Sequence, residues 1–582
     1  MAKSKIITKP AGSSDSQALT WLLVGGSLVT VFFWAPLVDP FNAPKSWILS
    51  VTAFWLLGWV GFNWKKFSAD MTLRIASIMS AVYSLTLLAA FFATDNSFIG
   101  FFGDYARRTG FLSYFSLTIF FLASAYLFRL KQIDFLDIAT LIVGFLIGMY
   151  GFLQHYSIDF INWNNAYNSV LSSLGNPDFA AAAMAIFFVL NCGLALNPSK
   201  KIWKRSFAGL NLLLLLVTII FSQVRQGLLA GALGVAIIAL VWIHQRQKIA
   251  AYVLAGFSAL AGIGAVMGML NMGPLVKYFY KVSVTYRGDY WRAGWRMFTS
   301  HPFFGVGIDR YGANFRFYRD ATQVARRGPD VISNAAHDVP IQLAATGGLF
   351  VLVAFLALTS FIAWRGIVAL RRTSGVEQIV VATIFGAWVA YEAQSIISID
   401  NLGIAIWGWI LGGAVVGISV VDVPQLARAN KSGSALLQPV VSGLLGLTLF
   451  IVAIFFFQAE SAMRTAQNYK PPTSGPTVAT YQQYANKSLT YSIKDPHFRL
   501  LNAGMLAQSG AVATAKERLS DLVKSDPHFY DAIQLLASIY EQTNDTTSAI
   551  PYVKDLIAID PYNKTLINRL QKDESSAQPV KK

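Results

Sequence analysis

Cysteine is almost missing from this 582-residue chain. Cys192 alone is present, inside an apolar run, so neither a disulfide framework nor a cysteine-built metal site can be assembled. Charge is scarce as well: Asp, Glu, Lys and Arg together make up 13% of residues, against roughly a quarter in soluble domains. The acidic residues are the rarer, 30 against 47 Lys plus Arg, and the six histidines are scattered, with no paired carboxylates at metal-ligand spacing. No metal site is expected. Hydrocarbon fills the gap, at 54% hydrophobic residues with a mean hydropathy of +0.48. The formal net charge of +17 would suit nucleic acid in a soluble protein. In a polytopic membrane protein, however, basic residues collect in cytoplasmic loops, and nucleic acid is set aside as a partner.

Apolar runs of about 17 to 25 residues can cross a bilayer core as helices. They fall near 18–38, 46–64, 74–93, 111–128, 136–154, 179–196, 206–221, 227–243, 249–271, 339–364, 378–397, 402–421 and 440–457. The expected fold is all-α: a polytopic bundle of 12 to 13 spans over 18–457, preceded by a cytoplasmic tail, 1–17. No small-residue cleavage site follows the first run, so 18–38 reads as a retained span rather than a signal peptide. With the N-terminus inside, alternate loops carry Lys65, Lys66 and Arg74; Arg129 and Lys131; Lys200, Lys201, Lys204 and Arg205; Arg246 and Lys248; Arg365, Arg371 and Arg372; Arg428 and Lys431. Every inside loop is thus basic, as the charge bias of membrane topology requires.

The outer loops break that bias in three places: Arg107 and Arg108, Arg225, and a large polar loop over 272–338. The large loop holds Arg287, Arg292, Arg296, Arg310, Arg316, Arg319, Arg326 and Arg327, with His301 and His337. Arginine kept on that side calls for a reason, and an anionic ligand supplies one. Guanidinium forks match phosphate oxygens and cannot lose their charge. Arg225 interrupts two apolar runs, where a snorkelling side chain and a phosphate contact are both open readings. Arg292 and Arg296, four residues apart, suit an interfacial amphipathic helix, with Arg287 just before it. His337 could cap a helix or take a proton from a hydroxyl, oriented by Asp338 or a carbonyl. Gly305-Val306-Gly307 lacks the following Lys-Ser/Thr of a phosphate-binding loop.

From about Gln458 the composition turns soluble. Asp495-Pro496, Asp526-Pro527 and Asp560-Pro561 recur between Ala/Leu/Tyr patterns, at spacings close to the tetratricopeptide period. A helical-repeat domain is expected over 458–582. An odd span count places it outside with the large loop, and a miscount by one places it in the cytoplasm.

In order, Gly103-Asp-Tyr-Ala-Arg107-Arg108-Thr-Gly110, Gly175-Asn176-Pro177-Asp178-Phe179-Ala180 and Ser222-Gln-Val-Arg225-Gln-Gly come first. They are followed by Arg287 through His301-Pro302-Phe-Phe-Gly305-Val-Gly307, His337-Asp338 with Gly347-Gly348-Leu, and Ser395 to Asp400-Asn401. This series, over about 100–415, resembles the O-antigen ligase / O-antigen polymerase superfamily of bacterial membrane glycosyltransferases, which includes protein O-oligosaccharyltransferases. The chain departs from the pattern in having Asp338 where the family usually has Asn, and Thr346 where it has Glu. The resemblance implies metal-independent transfer of a glycan from an undecaprenyl-pyrophosphate carrier to a lipid, glycan or protein hydroxyl, at the outer face of the cytoplasmic membrane. It implies no cofactor. Arg225 and Arg287 would hold the pyrophosphate, and His337 would act as catalytic base. Asp338, Asn176, Arg107, Arg108 and Asp400 would support them. Implied partners are the lipid-linked glycan, its acceptor, membrane lipid and a protein bound by the repeat region. A transporter of lipid-linked glycans and a non-catalytic scaffold remain the alternatives. The first expects more ionisable residues deep in the spans, and the second gives no reason for the outer arginines.

Overall fold

The computed structural model describes residues 13–163, 170–280, 282–420, 434–468, 476–491 and 494–577. Within the expected tail, residues 1–12 lie outside this range, as do Arg428 and Lys431. The described residues are helical, with no strand among them. Each apolar run forms a helix, because hydrocarbon offers the backbone no partner and N–H and C=O must pair within the segment. Ten are long and apolar enough to cross a membrane, among them Asn42–Phe62, Pro177–Leu196, Arg225–His244 and Val339–Arg372. Two further apolar helices, Phe111–Leu127 and Leu402–Ile418, have 17 residues each. With Ser13–Val31, all thirteen expected positions are occupied by helices.

The connections sort to two ends of the bundle. At one end Lys200 pairs with Asp134 at 2.7 Å and Asp137 at 2.6 Å, and Arg365 donates to Ser419 Oγ at 2.8 Å. At the other, the carboxylate of Asp309 accepts from the backbone N–H groups of Asp104 (2.7 Å) and Thr109 (3.0 Å) and from Thr109 Oγ1 (2.9 Å). Loops that share the basic charge pattern thus meet in pairs, 129–137 with Lys200 and 365–372 with Ser419.

Glycine fixes one joint of this second end. Val339–Arg372 is broken at Gly348, whose φ of 77° is a left-handed conformation that costs side-chain-bearing residues. The turn after His301 fits into the break: Leu349 N–H donates to the Pro302 carbonyl at 2.7 Å and Val306 N–H to the Ala345 carbonyl at 2.8 Å. A Cβ on Gly348 would lie 2.3 Å from the Phe303 carbonyl oxygen. Gly348→Ala is expected to destabilise the protein by about 1–3 kcal/mol. Thermal unfolding in detergent checks this, and an unchanged midpoint would contradict it.

The last span does not stop at 457. Ser434–Asn468 continues beyond it as one helix of 35 residues, roughly 50 Å at the α-helical rise, longer than a bilayer core. Its end, through Ala459, Met463 and Ala466, packs against Tyr481, Ala485 and Phe498 of the C-terminal helices. These comprise Pro476–Tyr491, two helix pairs (Pro496–Gln508 with Val512–Ser525, and Tyr530–Gln542 with Thr546–Ile559), and Lys564–Ala577.

All three recurring aspartates face arginines at this second end of the bundle. Arg108 lies 3.0 Å from Glu460 and 3.7 Å from Asp495. Arg310 makes a two-pronged contact with Asp526, 2.8 Å on each side. Arg319 donates to both oxygens of Asp560 at 2.7 and 2.8 Å, with Arg316 at 3.5 Å. The C-terminal helices thus dock on the arginine-rich loop, at the same end of the bundle.

Candidate active site

These pairs change how the outer arginines are to be understood. The expectation that their number reflects an anionic ligand gives way to pairing within the chain. Arg310, Arg316 and Arg319 go to the C-terminal aspartates. Arg292 goes to Asp289 and Asp320, Arg296 to Asp320, and Arg326 to Asp289. Arg327 donates to the Tyr290 hydroxyl at 2.8 Å and lies over the Tyr286 ring. Arg287 differs. It donates to the neutral Gln226 Oε1 at 3.2 Å, and its carboxylate neighbour, half-exposed Asp178, comes no closer than 3.8 Å.

Arg287 also sits within the Val282–Ser300 helix rather than before it. The apolar face of that helix, Tyr290, Ala293 and Met297, packs against Tyr311, Phe315 and Ala336 of the same loop. This face therefore belongs to a small core within the loop. Burying it turns Arg292 and Arg296 to solvent and holds Arg287 on the inner side.

Three connecting segments converge there. The Gly103–Gly110 turn brings Arg107, whose Nε and Nη2 both point at Asn334 Oδ1, at 3.1 and 2.6 Å. The start of Pro177–Leu196 brings Asp178 and Phe179, the latter under Arg107 at 5.9 Å. The strap before Val339 brings His337, held at φ 57°. His337 Nδ1 lies 3.1 Å from the Ala335 carbonyl, an acceptor only, so that nitrogen carries the proton and Nε2 keeps its lone pair. A carbonyl, not Asp338, orients the ring. Burial, together with the positive charges of Arg287 and Arg107, lowers its pKa from 6.5 to about 4. At neutral pH the ring is an uncharged base that feels the charge of two guanidinium groups. A narrow crevice joins Arg107, His337, Asp338, Asp309 and Asp400.

The remaining expected residues take other places. Arg225 opens its helix, exposed, with Nη1 3.4 Å from the Tyr280 carbonyl; its neighbour Gln226 is the group that reaches Arg287. Asn176 caps Pro177–Leu196 by accepting from Asp178 N–H at 2.8 Å. Arg108 is buried in the Glu460 and Asp495 pairs. Asp400 is buried with Tyr391, whose hydroxyl donates at 3.3 Å. Gln226, Asn334 and Asp309 were missed from sequence. Polar residues beside Arg225, His337 and Arg310 were the only available signal.

Asp338 caps the Val339 helix, accepting from Ile341 N–H at 2.7 Å, and burial pushes its carboxyl up to about 6. The folded carboxyl holds its proton to about pH 6, whereas the unfolded one loses it near 3.8. This group therefore favours folding at low pH and loses that contribution as pH rises through about 6. Asn is an equally good cap. Asp338→Asn should gain thermal stability relative to wild type between pH 5 and 8, measured by parallel melts. A constant offset between the two proteins would contradict it.

No curated protein matches the chain. Residues 210–356 match the family model described as O-antigen ligase. That stretch runs from within the Ile202–Phe221 helix through Arg225, Arg287 and His337 into Val339–Arg372, so across the arginine-rich loop the chain is similar to the O-antigen ligase family.

Proposed function

We propose that the protein transfers a glycan from an undecaprenyl-pyrophosphate carrier to an acceptor hydroxyl at the outer face of the cytoplasmic membrane. The arginine-rich loop and the C-terminal helices lie together at one end of the bundle, and the proposal sets that end outside. The observation that carries the reading is His337, a neutral base with its tautomer fixed by Ala335, under the charge of Arg287, held by Gln226 with Asp178 no closer than 3.8 Å, and of Arg107, held by Asn334. The acceptor oxygen attacks the anomeric carbon, the bond from that carbon to the pyrophosphate oxygen breaks, and the hydroxyl proton passes to His337 Nε2. Negative charge develops on the departing pyrophosphate, where preorganised guanidinium groups stabilise it most. Arg287 is the principal contact. Arg225, at the mouth of the same helix start, reaches the outer phosphate, and Arg107 supports from the crevice side. The chemistry needs no cofactor or metal, since the guanidinium groups supply the positive charge. A bound pyrophosphate offsets the two charges that depress His337, so the base strengthens when the donor is in place.

Arg287→Ala is expected to lower kcat/KM by about 10²- to 10³-fold, the scale of losing one charge-stabilising donor. Arg292→Ala, exposed and paired with Asp289 and Asp320, serves as the control and should stay near wild type. Donor consumption by purified protein measures both. Equal losses in the two variants would count against a specific pyrophosphate contact.

A further inference from the structure

Well away from His337, a cavity of about 730 Å³ opens between the last span, the first outer turn and the C-terminal helices. Its volume falls within the range of small-molecule sites. One stripe of Ser434–Asn468 forms a wall: Phe450, Ile454 and Phe457, then Gln458, Ser461 and Thr465. These positions recur at helical spacing on one face, and their character changes from apolar to polar at Phe457/Gln458. Phe32 and Trp34 complete the apolar part, and Tyr484, Lys487 and Tyr491 of Pro476–Tyr491 close the polar part. Lys487 is exposed, no Asp or Glu lines the cavity among the described residues, and no salt bridge engages Lys487 there. Glu460 of the same helix does not line the cavity and is buried in its pair with Arg108 at 3.0 Å.

We infer that this cavity binds one anionic diacyl phospholipid of the surrounding leaflet, with an acyl chain along Phe450, Ile454 and Phe457 and the phosphate at Lys487. Three features select that occupant. The apolar wall belongs to a membrane-spanning helix, so the ligand enters from the bilayer. The polar section lies beyond the span, where headgroups sit. The cation there faces no carboxylate of its own. A lipid so placed ties Pro476–Tyr491 to the last span and braces the C-terminal helices over the loop.

The full-length protein in phosphatidylcholine nanodiscs, doped with phosphatidylglycerol carrying an acyl-chain diazirine, tests this. Photolysis and peptide mapping should place adducts on Phe450–Thr465. Lys487→Gln should lower that labelling roughly fivefold, the factor one basic group contributes to holding an anionic lipid. Ile454→Trp, which puts an indole across the apolar wall where the acyl chain would lie, should lower it as well. In both variants labelling of Lys248–Met269, a lipid-facing helix, should persist, showing that the protein remains folded and embedded. Equal labelling by a phosphatidylcholine probe, or no response to either substitution, would overturn the proposal in favour of ordinary bilayer contact. Displacement by undecaprenyl phosphate would overturn it in favour of the isoprenoid carrier.

Discussion

His337→Ala is expected to lower glycan transfer by about 10²- to 10⁴-fold, the usual contribution of a positioned general base, while donor binding persists. The ring makes one hydrogen bond to its own strap, through Nδ1 to Ala335, and stacks at a tilt on Tyr290 at 5.0 Å. Its removal therefore disturbs little packing, and Arg287 keeps its contact with Gln226. The loss should appear in kcat, not KM. His337→Gln should be as inactive, since an amide retains hydrogen bonding but cannot accept the proton. A fall in donor affinity that accounts for the whole effect would instead make His337 a binding residue.

Arg319→Ala is expected to destabilise the docked C-terminal helices by about 3–5 kcal/mol, the cost of leaving a buried charge without its partner. Arg319 and Asp560 are fully buried, and the guanidinium contacts both carboxylate oxygens. The paired change Arg319→Met with Asp560→Leu should recover only part of the loss, because it removes both desolvated charges of the pair but leaves Arg316 without its carboxylate. Lys554→Ala, from an exposed pair with Glu574 at 3.2 Å, should cost no more than about 1 kcal/mol. The rate of proteolytic release of the C-terminal helices orders the four proteins. Release from Arg319→Ala no faster than from Lys554→Ala would show that the buried pair does not hold the domain.

The spans were legible in the sequence because crossing hydrocarbon demands length and apolarity, and both are local properties. Even the short Phe111–Leu127 and Leu402–Ile418 helices stood at their expected places. The grouping of loops was legible too, since Lys200 and Arg365 follow a charge rule that needs no tertiary information. The partners of the arginines were not. Arg310 and Asp526 are separated by 216 residues, and nothing in a local window links them. The same blindness made Arg287 look like one arginine among eight, when its distinction is a loosely held guanidinium, on Gln226 at 3.2 Å with Asp178 no closer than 3.8 Å, whose charge bears on His337. Arg287 was also placed before its helix, because the apolar face of Val282–Ser300 answers to a loop core the sequence does not announce. The extension of the last span past 457 escaped for a related reason. Helix propensity continues through Gln458–Asn468, and only the composition changes there.

The most direct test of the central claim is the fate of the donor. Purified protein in sealed vesicles is given a fluorescent undecaprenyl-pyrophosphate glycan with a mixture of lipid, glycan and protein acceptors. The account predicts that the glycan appears covalently on one acceptor, that undecaprenyl pyrophosphate is released in equal amount, and that His337→Ala stops both. Donor that stays intact with every acceptor yet moves from one leaflet to the other would contradict it, and would make the protein a transporter of lipid-linked glycans.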